Sequence, residues 1–138
     1  MSKDIRNQHG AICWGELCTS DLEGAQKFYQ KVLGWTFEAT KSCNGGSYII
    51  TKAGNEMVAG MMSLKDIPDL PPEVPPHWGL YMTVDCIDTA LAEVEANGGS
   101  IIMPKTTLDC GSVFAFVRDP QGATLGLMQY PSECSCDQ

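Results

Sequence analysis

A chain of 138 residues, 43% of them apolar, has the length of one domain and can bury roughly two thirds of its unfolded surface. Its formal charge of −8 argues against nucleic acid or an anionic membrane as partner, because both need a positive patch. No apolar run approaches the roughly 18 residues that span a bilayer, and the polar start MSKDIRNQHG lacks the layout of a secretory signal, so a cytoplasmic location is expected.

In chain order, the aromatic and apolar run AICWGELC at 11–18 reads as a strand. Ser20 with Glu23 matches the S-x-x-E capping box that opens a helix, expected over 21–33. Leu22, Ala25, Phe28, Tyr29, Val32 and Leu33 follow the three-and-four spacing of one buried helix face, and Gly34 ends it. Three strands are expected near 35–40, 47–52 and 57–63, the last two joined by a turn at Ala53–Glu56. Residues 63–77 hold five of the eight prolines, which block helix and central strand alike, so an extended linker is expected. The pattern then returns. A strand at 78–84 leads through Asp85, the expected cap, into a helix over 87–97 with Ile87, Ala90, Leu91 and Val94 on its apolar face. Asn97-Gly98-Gly99 closes that helix, and strands follow near 100–104, 112–118 and 123–129, with Asp119-Pro120-Gln121-Gly122 as a turn.

The two halves are one design used twice. An offset of 65 places Ala25 on Ala90, Gly34 on Gly99 and Gly46-Ser47 on Gly111-Ser112; an offset of 66 places Gly60-Met61-Met62 on Gly126-Leu127-Met128. The expectation is one α+β domain, 1–138, made of two tandem βαβββ modules. Module one covers about 10–63 and module two about 78–130, with a tail at 131–138. Each module alone is too small for a sizeable core. Of the seven cysteines, an odd number without a secretory signal, reduced thiols are expected. Cys13, Cys18 and Cys86 read as small hydrophobes, and Cys134 and Cys136 form a C-x-C in the tail.

The run GELCTSDLEGAQKFYQKVLGW and the run FAFVRDPQGATLGLMQ resemble the first strand and helix, and the last hairpin, of the vicinal-oxygen-chelate (glyoxalase/bleomycin-resistance/dioxygenase) superfamily. The resemblance covers about residues 10 to 130. The pattern W-x-E-L-x-T-x-D at Trp14, Glu16, Leu17, Thr19 and Asp21 is similar to the glyoxalase-like antigen subgroup. The resemblance implies a cup-shaped mixed sheet with helices on its outer face. It also implies that metal-using members take their ligands from positions that become Trp14, Gly60, Gly79 and Gly126 here. An indole N–H is donor only and glycine has no side chain, so neither a metal nor a cofactor is expected. The three glycines read either as close backbone approach or as volume for an organic ligand.

Glu16 is costly on an otherwise apolar strand and must face a pocket, water or a donor. Paired as in the family, with Trp14 across from Gly79, it would fall opposite His77, either as a stitch between the modules or as an acid/base pair. His9 is expected at the surface. Trp14, Tyr81, Phe114, Met62 and Met128 share, by strand parity, the face of Glu16 and His77. Aromatics and methionines at this spacing also fit plain core. The function expected is metal-independent binding of a small organic ligand in the cup, by a possible homodimer. The alternatives are a lyase, isomerase or hydroxylase using Glu16 and His77, and a partner-binding module with a filled cup.

Overall fold

The computed structural model describes residues 5–41, 47–67, 73–108 and 111–131. Linker residues 68–72, nearly all of the tail, and Cys43, Cys110, Cys134 and Cys136 lie outside them. Module one runs β1 (Ile12–Thr19), α1 (Leu22–Leu33), β2 (Thr36–Lys41), β3 (Ser47–Ala53) and β4 (Glu56–Ser63). Module two repeats the order as β5 (His77–Thr83), α2 (Ile87–Ala96), β6 (Ser100–Thr107), β7 (Val113–Arg118) and β8 (Thr124–Gln129). Both helices and all eight strands fall within a few residues of the expected places, because each carries its own periodicity and stop signals.

Registers display the duplication directly. In module one the strands order as β2-β3-β4-β1, with β1 and β4 parallel and the rest antiparallel; in module two they order as β6-β7-β8-β5 with the same senses. Glu16 pairs with Gly60, which pairs with Ile50. Tyr81 pairs with Gly126, which pairs with Phe116. The offsets between these trios are 65, 66 and 66 (81 − 16, 126 − 60, 116 − 50).

The chain divides into two compact units, residues 14–79 and residues 80–138 joined by the first 13. In the second unit Ile87, Ala115, Val117, Leu127 and Val84 form the core, with Ala90, Leu91 and Val94 of α2 packed against it. The chain's start is laced to the end of β5: Gly10 N–H donates to the Thr83 carbonyl (2.7 Å) and Thr83 N–H to the Ala11 carbonyl (2.8 Å), while the Thr83 hydroxyl donates to the Arg6 carbonyl. His9 is exposed, as expected, and its Nδ1 accepts the Asp85 N–H at 3.0 Å.

In the first unit Met61 and Thr51 are fully enclosed beside Leu17 and Ala59. Here the structure departs from expectation. No residue of α1 is buried, and Phe28, Val32 and Leu33 are 58%, 60% and 53% exposed. Tyr29 instead stacks on Trp35 and meets Trp78 edge-on, at ring separations of 5.5 and 5.6 Å, so α1 is held at one side and half of its apolar stripe stays open.

Both caps also differ. Asp21, not Ser20, caps α1, its carboxylate accepting from Gly24 N–H at 3.0 Å. Cys86, not Asp85, stands at the α2 cap and its side chain makes no capping hydrogen bond; the Ile87 N–H is satisfied by Gln129 Oε1 at 2.7 Å. A tertiary acceptor has replaced the local one. The linker opens with a 3-10 turn at Leu64–Asp66, capped by Ser63, before any extended stretch. Cys13 and Cys18 are free and buried, but Cys86 is disulfide-bonded, against the expected reduced state. A thiol at a helix N-terminus meets the amide dipoles that favour thiolate and hence exchange.

Candidate functional site

Alternation along β1 sets Trp14, Glu16 and Cys18 on one face of the module-one sheet. The parallel pairing brings Gly60 beside Glu16 and Met62 beside Cys18. From β3, Tyr48 reaches the same place. The Trp14 indole N–H donates to the Tyr48 hydroxyl oxygen at 2.9 Å, and the Tyr48 hydroxyl donates to Glu16 Oε2 at 2.8 Å. The reason for a glycine at 60 is then geometric. A Cβ there would lie 1.7 Å from the Tyr48 hydroxyl oxygen and 2.1 Å from its ring carbon, so only a missing side chain lets the tyrosine sit down.

Glu16 leaves an electrostatic mark on its neighbours. Burial, and then the Glu16 charge, push the Cys18 thiol up to about 12, which keeps it protonated and poorly nucleophilic. The same two causes, in the same order, raise Tyr48 above the ordinary phenol range, so Tyr48 stays a neutral donor.

Module two carries an all-aromatic counterpart. Tyr81, 6% exposed, packs against Phe116 at 5.4 Å, and Phe116 against Phe114 at 5.6 Å. Met128 pairs with Phe114, and both are half-buried. A Cβ on Gly126 would fall 2.5 Å from the Tyr81 ring. Gly60 and Gly126 are therefore close-approach glycines, their space taken by Tyr48 and Tyr81. Gly79 differs, since its added Cβ would meet only the Glu16 carbonyl oxygen, at 4.0 Å.

Of the residues singled out from the sequence, Trp14 and Glu16 come together through Tyr48, with Met62 on the adjoining strand. Tyr81, Phe114 and Met128 belong to the aromatic face of module two. His77 is exposed, with Nδ1 2.9 Å from the Pro75 carbonyl; that bond needs the proton on Nδ1. Tyr48 was not singled out. Its signal was Gly60 itself, a glycine inside a strand, which announces a close approach without naming what approaches.

Two parallel-edged βαβββ modules with this pairing define a known class of fold. The chain belongs to the Glyoxalase/Bleomycin resistance protein/Dioxygenase superfamily, whose sequence profile matches residues 11–127. It is 32% identical over 130 residues to CFP32 of Mycobacterium tuberculosis, provisionally named a glyoxylase, covering 94% of this chain and 49% of that protein. It is 28% identical over 128 residues to the anthracycline biosynthesis protein DnrV of Streptomyces peucetius, covering 86% and 46%. The chain thus spans about half the length of the curated relatives it matches. Among solved structures, a methylmalonyl-CoA epimerase in complex with methylmalonyl-CoA and NH4+ is similar in fold, with a TM-score of 0.60, 15% identity, and coverage of 93% of this chain and 99% of that one.

Proposed function

We propose that this chain is a metal-independent small-molecule-binding protein, taking an organic ligand on the module-one face that carries Trp14, Glu16 and Met62. The observation that carries the reading is Glu16, a half-buried carboxylate on an apolar strand, held by Tyr48 beside an indole. A carboxylate so placed is costly to desolvate, and its presence on an apolar strand face supports a role in ligand recognition. Similar proteins lend support: one relative is named for anthracycline biosynthesis, and one structural neighbour holds methylmalonyl-CoA.

The residues do not fit the family's divalent ion. The Trp14 N–H is committed to Tyr48, Gly60 and Gly126 have no room for any side chain, and Gly79 offers none. Among the described residues no three His, Cys, Asp or Glu groups gather closely enough to hold an ion. The alternative is an acid/base reading of Glu16 with His77, beside which stand the Tyr48 hydrogen bond to Glu16 and the 2.9 Å contact of His77 Nδ1 with the Pro75 carbonyl.

The proposed partners are a small molecule and a second copy of the chain, with no role for nucleic acid or membrane. The acidity supports the first exclusion, and among the described residues no helix is long and apolar enough to cross a bilayer. The cytoplasm is the proposed location. Native mass spectrometry and elemental analysis of protein purified without chelator test the proposal. An organic adduct that is lost in Glu16→Gln, with no metal in proportion to chain, is the expected result; stoichiometric zinc, nickel, iron or manganese would overturn metal independence.

A further inference from the structure

The hydrogen-bond chain at Glu16 has a fixed direction. An indole nitrogen can only donate, and an ionised carboxylate can only accept. The Tyr48 hydroxyl stands between them, receiving one proton from Trp14 at 2.9 Å and giving its own to Glu16 at 2.8 Å. Reversing either bond is impossible while Glu16 is ionised. Among the described residues the relay has no copy in module two. There the position of Glu16 is Tyr81, that of Tyr48 is Phe114 and that of Gly60 is Gly126, matched through the registers of the two sheets. The space above the second glycine is filled by the Tyr81 ring.

We propose that Tyr48 is the positioning residue of this site, seated by Gly60 and oriented by Trp14 so that Glu16 is held as an ionised acceptor for a hydrogen-bond-donating group of the ligand. The ligand class rests on the reading of Glu16 as the ligand-facing carboxylate; the relay does not. A carboxylate receiving a hydrogen bond in its charged form titrates lower than one without it, so removing the tyrosine proton must move Glu16 upward. Cys18 on β1 and Tyr48 on β3 both feel the Glu16 charge and are raised, by burial first and by that charge second. Neither changes charge while a carboxylate titrates, so the difference between the Glu16 curves of the parent and Tyr48→Phe reads the relay.

The test is the carboxyl 13C titration of Glu16 by NMR in the full chain, in the parent and in Tyr48→Phe and Gly60→Ala. Tyr48→Phe removes one hydroxyl and should raise the midpoint by about one pH unit, the size of one hydrogen bond to a charged group. Gly60→Ala keeps the tyrosine but drives its hydroxyl off the site, and should raise the midpoint in the same direction. A merely structural tyrosine would move the melting temperature and leave the midpoint in place. An unchanged midpoint in Tyr48→Phe, or in Gly60→Ala if the first variant does not fold, overturns the relay whatever the chain binds. For the ligand class, benzylamine, benzyl alcohol and benzoate are titrated against the same Glu16 signal. Perturbation by the amine or the alcohol, weakened several-fold in Tyr48→Phe and absent with benzoate, is the expected result, and the arm that responds distinguishes ammonium from hydroxyl. Equal response to benzoate, or none to either donor, overturns the donor assignment.

Discussion

Cys18 illustrates how one buried charge reshapes its neighbours. The thiol lies 7% exposed, two residues from Glu16 on the same strand face, and burial and that charge push it up to about 12 from 9.0. A pKa raised in the folded state means the native chain holds its proton where the unfolded chain has released it. The associated stability is fully present below about 9 and is lost as pH rises toward 12. Melting temperature should therefore fall above pH 9, less steeply in Cys18→Ala, and Cys18 should resist alkylation at pH 8 until denaturant is added. Rapid alkylation of the folded protein would contradict the burial. The glycines give a second test at this scale. Gly126→Ala must displace an enclosed Tyr81 ring and should cost about 1–3 kcal/mol. Gly79→Ala meets nothing nearer than 4.0 Å and should leave the urea midpoint almost unchanged. Equal losses at both positions would refute the distinction between a crowded and an open glycine.

At the scale of elements, helix entry offers the sharpest contrast. Asp21→Ala removes the acceptor that Gly24 N–H uses and should cost about 1 kcal/mol, whereas Ser20→Ala should be close to neutral by denaturant unfolding. The reverse order would restore the capping box. That box looked right because Ser20 and Glu23 have the proper spacing; Asp21, one residue on, is an equally good cap, and spacing alone does not choose between them. The same limit explains α2, where Gln129, 42 residues away, satisfies Ile87. Elements with their own period were legible, as were turns such as Asp119–Gly122, where Gly122 takes φ 102° and Asp119 accepts from Ala123 N–H at 2.8 Å. The candidate site was half legible. Glu16 stands out as a charge on an apolar strand, but its partner Tyr48 lies 32 residues away on β3 and becomes visible only once β3 and β4 are in register.

For the whole molecule, the open face of α1 bears on assembly. Phe28, Val32 and Leu33 leave apolar side chains of α1 in water, and exposed apolar patches mark interaction sites. A symmetric pair of such helices, each helix laid on its twin, would cover the stripe in both copies at once, as a two-fold contact uses the same patch twice. The proposed homodimer is then expected to show twice the chain mass by light scattering at tens of micromolar. Phe28→Ser with Val32→Ser should halve that mass without changing the circular dichroism spectrum, because these side chains make little of the fold's own core. A stable contact needs roughly 1,000 Å² or more in total, so loss of two central apolar side chains should be decisive. A parent chain that is already monomeric would refute the dimer, and a double variant that remains dimeric would remove α1 from the interface.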